Sequence, residues 1–155
     1  MLILLDIDGV MVQGTSWKPL EILKDGFPRF TAMAITSLKR IISETKGSVM
    51  LTSSHKSTYS ITQWQAIFKH RGIDVGIHKL EDNTGFLTRK EEILKWLDQK
   101  SNLQDFVIID DDRTLNDLPP QLKDRLVLTS SFIGLTDEGA SLAIQILNNL
   151  KLSAS

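Results

Sequence analysis

Residues 2–10 read Leu-Ile-Leu-Leu-Asp-Ile-Asp-Gly-Val, an apolar run that ends at two carboxylates one residue apart and then a glycine. The run has the length and composition of a strand buried inside a parallel sheet. Carboxylates at the end of such a strand lose hydration, which is costly unless a cation or another polar partner lies close to them. Because ligands bind beyond the carboxyl ends of the strands in open α/β sheets, Asp6 and Asp8 predict a site for a cation and a reacting group.

The overall composition is that of an ordinary globular domain. The chain has 155 residues, of which 41% are apolar and 24% charged, and these values predict a single domain over residues 1–155 with a buried core. The net charge of −1 provides no basic excess that would bind nucleic acid by charge alone. No apolar run approaches the roughly 20 residues of a membrane span, and no cysteine is present for a disulfide or a thiolate metal site. We therefore expect a cytoplasmic protein that does not associate with membranes.

Helical patterns recur along the rest of the chain. Apolar residues at helical spacing predict helices over about 31–46, 60–71 and 137–150, and Thr88-Arg-Lys-Glu is a capping box that opens a further helix. Thr31 is the expected N-cap of the first helix, and Gly47 is its expected stop. Residues 11–30 are rich in glycine and proline, and we interpret them as a small flap-like excursion over the end of the first strand.

Short apolar runs between these helices predict the other strands. The runs lie at 48–52, 105–110 and 126–128, and the alternation of Ile73, Val75 and Ile77 is typical of an edge strand. Strands and helices that alternate in this way predict a three-layer, Rossmann-like α/β fold, with a mainly parallel sheet and helices on both faces.

Polar residues suited to a phosphate and a cation follow two more of these strands. They are the hydroxyl cluster Thr52, Ser53 and Ser54, and the acids Asp110, Asp111 and Asp112. The capping box adds Arg89 and Lys90 at the start of a helix. Because the carboxyl ends of parallel strands share one edge, we expect these groups to converge with Asp6 and Asp8. Mg²⁺ takes carboxylate, water and phosphate oxygens, and hydroxyl and cationic donors suit the remaining phosphoryl oxygens.

This ordered set resembles the haloacid dehalogenase (HAD) superfamily of phosphohydrolases, in its small form without a large cap domain. The first motif is Asp6-Ile-Asp8-Gly9, and the second is the strand that ends in Thr52. The third is a cation near a helix start, best matched by Lys90 with Arg89 as its competitor, and the fourth is the paired acids Asp110-Asp111. The resemblance spans about residues 2–112 and implies a HAD-like fold and a Mg²⁺-dependent phosphatase.

The resemblance also implies a role for each acid. Asp6 would attack phosphorus to give an aspartyl-phosphate, and Asp8 would protonate the leaving oxygen and then activate water. An aspartate at this second position is the phosphatase-type pattern. Asp6, the main-chain carbonyl of Asp8 and a late acid would hold Mg²⁺; we favour Asp111 as that acid, ahead of Asp110 and then Asp112.

The remaining site residues would contact the substrate phosphate. Thr52 would bond a phosphoryl oxygen, and Lys90 would neutralise its charge and steady Asp6. Ser53 is an alternative to Thr52 for the phosphate contact, and Gly9 lets the chain turn sharply away from the two aspartates. The roles of His55, just past the second strand, and of Trp17, in the flap-like excursion, stay open.

Short connections between the motifs imply an open site. By analogy with the family, an open site suits a bulky phosphorylated substrate, such as a nucleic-acid end, a nucleotide or a phosphoprotein. The short form and the stretch Thr52-Ser-Ser-His55 also look like the HAD domains attached to nucleic-acid repair systems.

Two other functions use similar residues. A phospho-accepting receiver-like signalling domain also gathers acids, a threonine and a lysine around Mg²⁺, but it has adjacent acids after its first strand and its phosphorylated aspartate after a middle strand. A HAD-fold binding module without turnover would not need the intact Asp8. The sequence favours the phosphatase over both.

Overall fold

Five parallel strands form the sheet in residues 1–14, 20–99 and 105–153, the part of the chain that the computed structural model describes. The strands are β1 (Leu2–Leu5), β2 (Ser48–Leu51), β3 (Ile77–Lys79), β4 (Phe106–Asp110) and β5 (Leu126–Leu128). Their order across the sheet is β3-β2-β1-β4-β5, with β1 at the centre. The predicted parallel α/β architecture is confirmed.

The register of the three central strands sets the position of the predicted site. Leu5 of β1 lies beside Leu51 of β2 and Ile109 of β4. The next residues along these strands are Asp6, Thr52 and Asp110. Since the strands are parallel, these three residues lie level with one another at the carboxyl edge of the sheet.

Five α-helices and one 3-10 helix lie between and after the strands within the described residues. They are α1 (Ala32–Thr45), α2 (Ile61–His70), α3 (Arg89–Asp98), the 3-10 helix Arg113–Asp117, α4 (Pro120–Lys123) and α5 (Asp137–Ser153). The predicted caps are present: Thr31 accepts a hydrogen bond from the Ala34 N–H, and Thr88 and Glu91 form a capping box. A second capping box at Ser60 opens α2 and was not expected.

The helices cover both faces of the sheet because successive residues of a buried strand point to opposite sides. Ile3 and Leu5 of β1 pack in a core with α1, α2 and α5. Leu2 and Leu4 pack in a second core with Ile93 of α3 and with the 3-10 helix. None of the described helices has the length and hydropathy needed to cross a membrane.

Of two local predictions at element boundaries, one is wrong. The helix α1 does end before the predicted stop at Gly47, with Lys46 in the left-handed conformation at φ 59°. The edge strand covers only Ile77–Lys79, so Ile73 and Val75 lie outside it. Ile73 instead packs in the core formed with α2, which accounts for its apolar character without a strand.

The described part of the flap-like excursion is held to the end of α2. The buried guanidinium of Arg71 donates to both carboxylate oxygens of Asp25, at 2.6 and 3.1 Å. It also donates to the carbonyls of Phe27 and Pro28. Residues 15–19, which include Trp17, lie outside the described residues.

Candidate active site

Asp6 stands at the centre of the carboxyl edge with almost no solvent contact. Its side chain and those of Thr52 and Asp110 are buried. The backbone of each neighbouring strand fixes this position, because the Asp6 N–H donates to the Ile109 carbonyl and the Thr52 N–H donates to the Leu5 carbonyl. The Ile7 N–H donates to Asp6 Oδ1 at 2.9 Å, which orients the carboxylate.

Three carboxylates converge at this point. One oxygen each of Asp6, Asp110 and Asp111 lies within 4.8 Å of the others. Burial, followed by the nearby charge of Asp110, raises the pKa of Asp6 to about 8, and burial also raises the pKa of Asp110. Carboxylates crowded together away from water are stabilised by a shared cation. The donor set, all oxygen and all acidic, therefore fits a hard divalent ion such as Mg²⁺.

The cation that faces these acids belongs to Arg89, the residue that competes with Lys90 for this position in the sequence. Arg89 Nη1 donates to Asp110 Oδ2 at 2.5 Å, lies 3.4 Å from Asp6 Oδ1, and is 3.5 Å from Thr52 Oγ1. The Thr88 cap fixes the first turn of α3, and successive residues of a helix point about 100° apart. Arg89 faces the sheet edge, and Lys90, the next residue, lies on a different face of the helix.

Asp111 is positioned by a serine that the sequence analysis missed. Ser131 Oγ donates to Asp111 Oδ2 at 2.7 Å, and Thr129 Oγ1 donates to the Gly9 carbonyl at 2.7 Å. Both residues follow β5, just as Thr52 and Ser53 follow β2. The signal that could have identified them is the cluster of hydroxyl residues directly after β5.

Gly9 makes the close approach of Asp111 possible. Its φ is +79°, a left-handed conformation that L side chains rarely adopt, and a Cβ atom built on it would overlap the Asp111 carboxylate. This gives Gly9 a steric role in shaping the acidic cluster. The expectation that it binds substrate stays a prediction.

Asp8 projects away from the cluster. Its side chain is 51% exposed, and its Oδ2 lies 2.8 Å from His55 Nε2. The Phe27 ring meets the His55 ring edge to face, with centroids 6.0 Å apart, which steadies the imidazole against the excursion. Asp8 is therefore accessible from solvent, and His55 orients its carboxylate.

Two of the predicted polar residues make contacts within turns. Ser53 is buried, and its Oγ accepts from the His55 N–H at 3.1 Å. Asp112 caps the 3-10 helix by accepting from the N–H and the hydroxyl of Thr114 at 2.9 and 2.7 Å. Asp112 is thus occupied as a cap, in line with its low rank among the predicted metal ligands.

A cavity of about 380 Å³ opens beside Arg89 and is lined by Ser54, Lys56, Leu87, Glu92 and Asp112 among others. In its wall, Lys56 Nζ and Glu92 Oε2 form an ion pair of 2.7 Å with both side chains largely buried. Arg89 Nε is also buried and has no hydrogen-bond partner among the described residues. The pair has no signal in the sequence, because no motif links Lys56 to Glu92.

Comparison with known families agrees with this geometry. A family model described as the HAD domain in Swiss Army Knife RNA repair proteins matches residues 2–140. No curated protein and no solved structure matches the chain. The matched residues include all five strands and every site residue described above. The chain therefore belongs to the family of HAD domains found in Swiss Army Knife RNA repair proteins.

Proposed function

We propose that the protein is a Mg²⁺-dependent phosphatase that hydrolyses a phosphate monoester through an aspartyl-phosphate on Asp6. The observation that carries the proposal is the convergence of Asp6, Asp110 and Asp111, with the Arg89 guanidinium facing them. A carboxylate cluster suits a cation, and a fixed guanidinium beside it suits the oxygens of a phosphoryl group.

The charges in the site explain why a cation is required. Two like unit charges about 4 Å apart repel by roughly 4 kcal/mol at an effective dielectric constant of about 20. An approaching phosphate would meet this repulsion from each carboxylate. Asp6, Asp111 and the Asp8 carbonyl, with Asp110 beside them, are the groups that would hold Mg²⁺. Bound there, the ion supplies the positive charge that lets Asp6 approach phosphorus.

The side chains then divide the reaction between them. An Asp6 oxygen forms a bond to phosphorus as the ester P–O bond breaks, and Asp8 donates a proton to the leaving oxygen. In the second half, Asp8 takes a proton from water as the water oxygen attacks phosphorus, which releases phosphate and restores the Asp6 carboxylate. Arg89 and Thr52 donate hydrogen bonds to the phosphoryl oxygens throughout.

The proposed substrate is an RNA strand that ends in a phosphate. Its support is membership of a family of HAD domains that occur in RNA repair proteins. The exposure of Asp8 is consistent with it, because the general acid must reach a leaving group that belongs to a large molecule. A nucleotide or a phosphoprotein stays an alternative substrate that direct assays distinguish.

Two observations disfavour a receiver-like signalling domain. The strand order β3-β2-β1-β4-β5 differs from the 2-1-3-4-5 order of receiver domains. The phosphorylated residue would also follow the first strand, with the carboxylate of Asp8 two residues away. A general acid and base at that distance favours turnover over a lasting phosphoprotein.

The test is a phosphate-release assay on the purified protein. With Mg²⁺, we expect turnover of an aryl phosphate and of RNA with a 3′- or 5′-phosphate, and EDTA should stop it. Asp6→Asn should abolish turnover while the circular dichroism spectrum is retained. Asp74→Asn, a control at an exposed position outside the site, should keep its turnover. Full activity in Asp6→Asn would contradict the mechanism, and a stable phosphoprotein without turnover would favour the signalling alternative.

A further inference from the structure

Phe86 combines two features that packing does not explain. Its side chain is 95% exposed, and its backbone has a φ of +52°. The left-handed conformation is unfavourable for a bulky L residue. A large apolar side chain that stays in water also lacks the stabilising free energy that burial would contribute. Strained residues of this kind concentrate at ligand-binding sites, where the conformation presents a side chain to a partner.

The loop around Phe86 is closed by a single asparagine. Asn83 accepts a hydrogen bond from the Leu87 N–H and donates one to the Leu87 carbonyl, both at 2.8 Å. Upstream, Asp82 accepts from Ser57 Oγ at 2.6 Å, which ties the loop to the segment after β2. Phe86 is therefore presented at the tip of a loop whose shape is set before any ligand binds.

This loop lies next to the proposed phosphate site. Leu87 lines the cavity beside Arg89, and it also lines a second cavity of about 390 Å³. Asn83 and Glu92 also line both cavities, so the two cavities adjoin and are together called the groove here, and Phe86 borders this groove without lining either cavity. Phe86 and Arg89 are three residues apart, which limits the separation of their Cα atoms to about 11 Å.

The second cavity is lined by apolar residues and by charged residues that have partners within the protein. Met50, Leu80 and Trp96 provide apolar and aromatic surface. Two of the acids are in ion pairs, Glu81 with Lys95 at 3.1 Å and Glu92 with Lys56 at 2.7 Å. The remaining charged groups are hydrogen-bonded to neutral ones, since Asp82 accepts from the Ser57 hydroxyl and Lys79 donates to the carbonyls of Lys56 and Tyr59. Such a surface suits an uncharged planar ring better than a second phosphate or a charged peptide.

We propose that Phe86 stacks on the base of the nucleotide that carries the terminal phosphate, so that the base is held over this groove while the phosphate lies at Arg89. This inference rests on the proposed function, since it takes phosphate-ended RNA as the ligand. Stacking on an aromatic side chain is tolerant of base identity, which suits an enzyme that acts on strand ends of any sequence.

Binding of a fluorescently labelled, phosphate-ended RNA to the Asp6→Asn protein in Mg²⁺ tests the proposal without turnover. Two ligands are compared, one with the terminal base and one in which the terminal nucleotide is abasic. We expect Phe86→Ala to weaken binding of the base-bearing RNA by at least about fivefold, the low end for loss of one stacked base, and to change the abasic RNA much less. Phe86→Tyr should restore the preference, and Phe86→Leu should not.

Phe132→Ala is the matched control. Phe132 is also an exposed aromatic residue, 69% accessible, but it lies on the loop after β5 and not on the loop before α3 that borders both cavities. Its replacement should leave the preference for the base unchanged. A loss in Phe132→Ala with none in Phe86→Ala would overturn the proposal, as would full affinity in Phe86→Leu.

The outcome separates this inference from the proposed function. If the wild-type protein releases phosphate from base-bearing and abasic RNA equally well, Phe86 does not stack and the phosphatase proposal stands. If no phosphate is released from any ester but binding depends on Phe86 and the base, the stacking proposal stands and the phosphatase proposal fails.

Discussion

Nη1 of Arg89 lies 3.4 Å from Oδ1 of Asp6, so the first turn of α3 brings a positive charge to the end of the central strand. The same guanidinium donates to Asp110. Burial opposes its positive charge, but the nearby charges of Asp110 and Asp6 outweigh burial and raise the pKa of Arg89 above its usual value. A phosphoryl group bonded to Asp6 would therefore meet a donor that is charged at every physiological pH.

Replacement of Arg89 should impair catalysis much more than replacement of Lys90. We expect Arg89→Ala to lower kcat by about 100-fold or more, the usual loss for one donor to a developing charge. Arg89→Lys should recover only part of the activity, because an ammonium group lacks the planar fork of donors. Steady-state kinetics on an aryl phosphate, with thermal melts as a folding check, would measure this. Equal losses in Arg89→Ala and Lys90→Ala would contradict the assignment.

Gly9→Ala and Gly26→Ala form a pair that isolates the steric role of Gly9. Both glycines have a φ near +80°, but a Cβ at Gly26 would meet nothing within 4 Å, whereas one at Gly9 would overlap Asp111. Each substitution should cost about 1 kcal/mol or more of unfolding free energy from backbone strain. Only Gly9→Ala should also reduce activity and metal affinity. Denaturant melts and kinetics on both variants would show the difference.

The stability of the metal-free protein should fall as the pH rises from about 4 to 8. The pKa of Asp6 is raised from 3.8 to about 8 in the native state, so in this window the native state binds more protons than the unfolded state. Its contribution to stability is present at the lower pH and is lost as the pH rises through the native pKa. Urea unfolding in EDTA at several pH values would measure the slope.

Asp6→Asn supplies the comparison for this pH dependence, since the amide does not titrate. The slope should be smaller in the variant, and the variant should be more stable than the wild type near pH 8 without metal. Addition of Mg²⁺ at that pH should raise the melting temperature of the wild type in a concentration-dependent way. An identical slope in both proteins would show that Asp6 does not have the raised pKa.

Ser131→Ala should weaken Mg²⁺ binding without removing a metal ligand. Ser131 orients Asp111, and loss of a partner that orients a ligand typically lowers metal affinity by about 10- to 100-fold. Ser141→Ala is a suitable control, because the Ser141 hydroxyl accepts from Arg40 at 2.8 Å on the outer side of α5. Calorimetric titration with Mg²⁺ should show a weaker dissociation constant for Ser131→Ala alone.

Most of the fold was predictable because it follows from residues that are close together in the sequence. The apolar runs before Asp6, Thr52 and Asp110 are buried strands, and the Thr31 and Thr88 caps begin helices where the pattern indicates. Burial and capping depend on side chains within a few positions, so a single sequence contains the necessary information. The start of β3 was less predictable, because Ile73 is apolar on account of its packing in the core and not because it belongs to a strand.

The sequence by itself determined that acids, a hydroxyl and a cation would meet at one edge of a parallel sheet, since strand order along the chain and strand ends are local properties. Only the tertiary structure decided which side chains do so. Arg89 rather than Lys90 faces the acids because of its position around the first turn of α3. The Ser131 hydroxyl, 20 residues away in the chain, orients Asp111. A closed loop leaves Phe86 exposed to solvent beside the groove. These choices depend on distances between segments that are remote in sequence, and those distances exist only once the sheet and helices have packed.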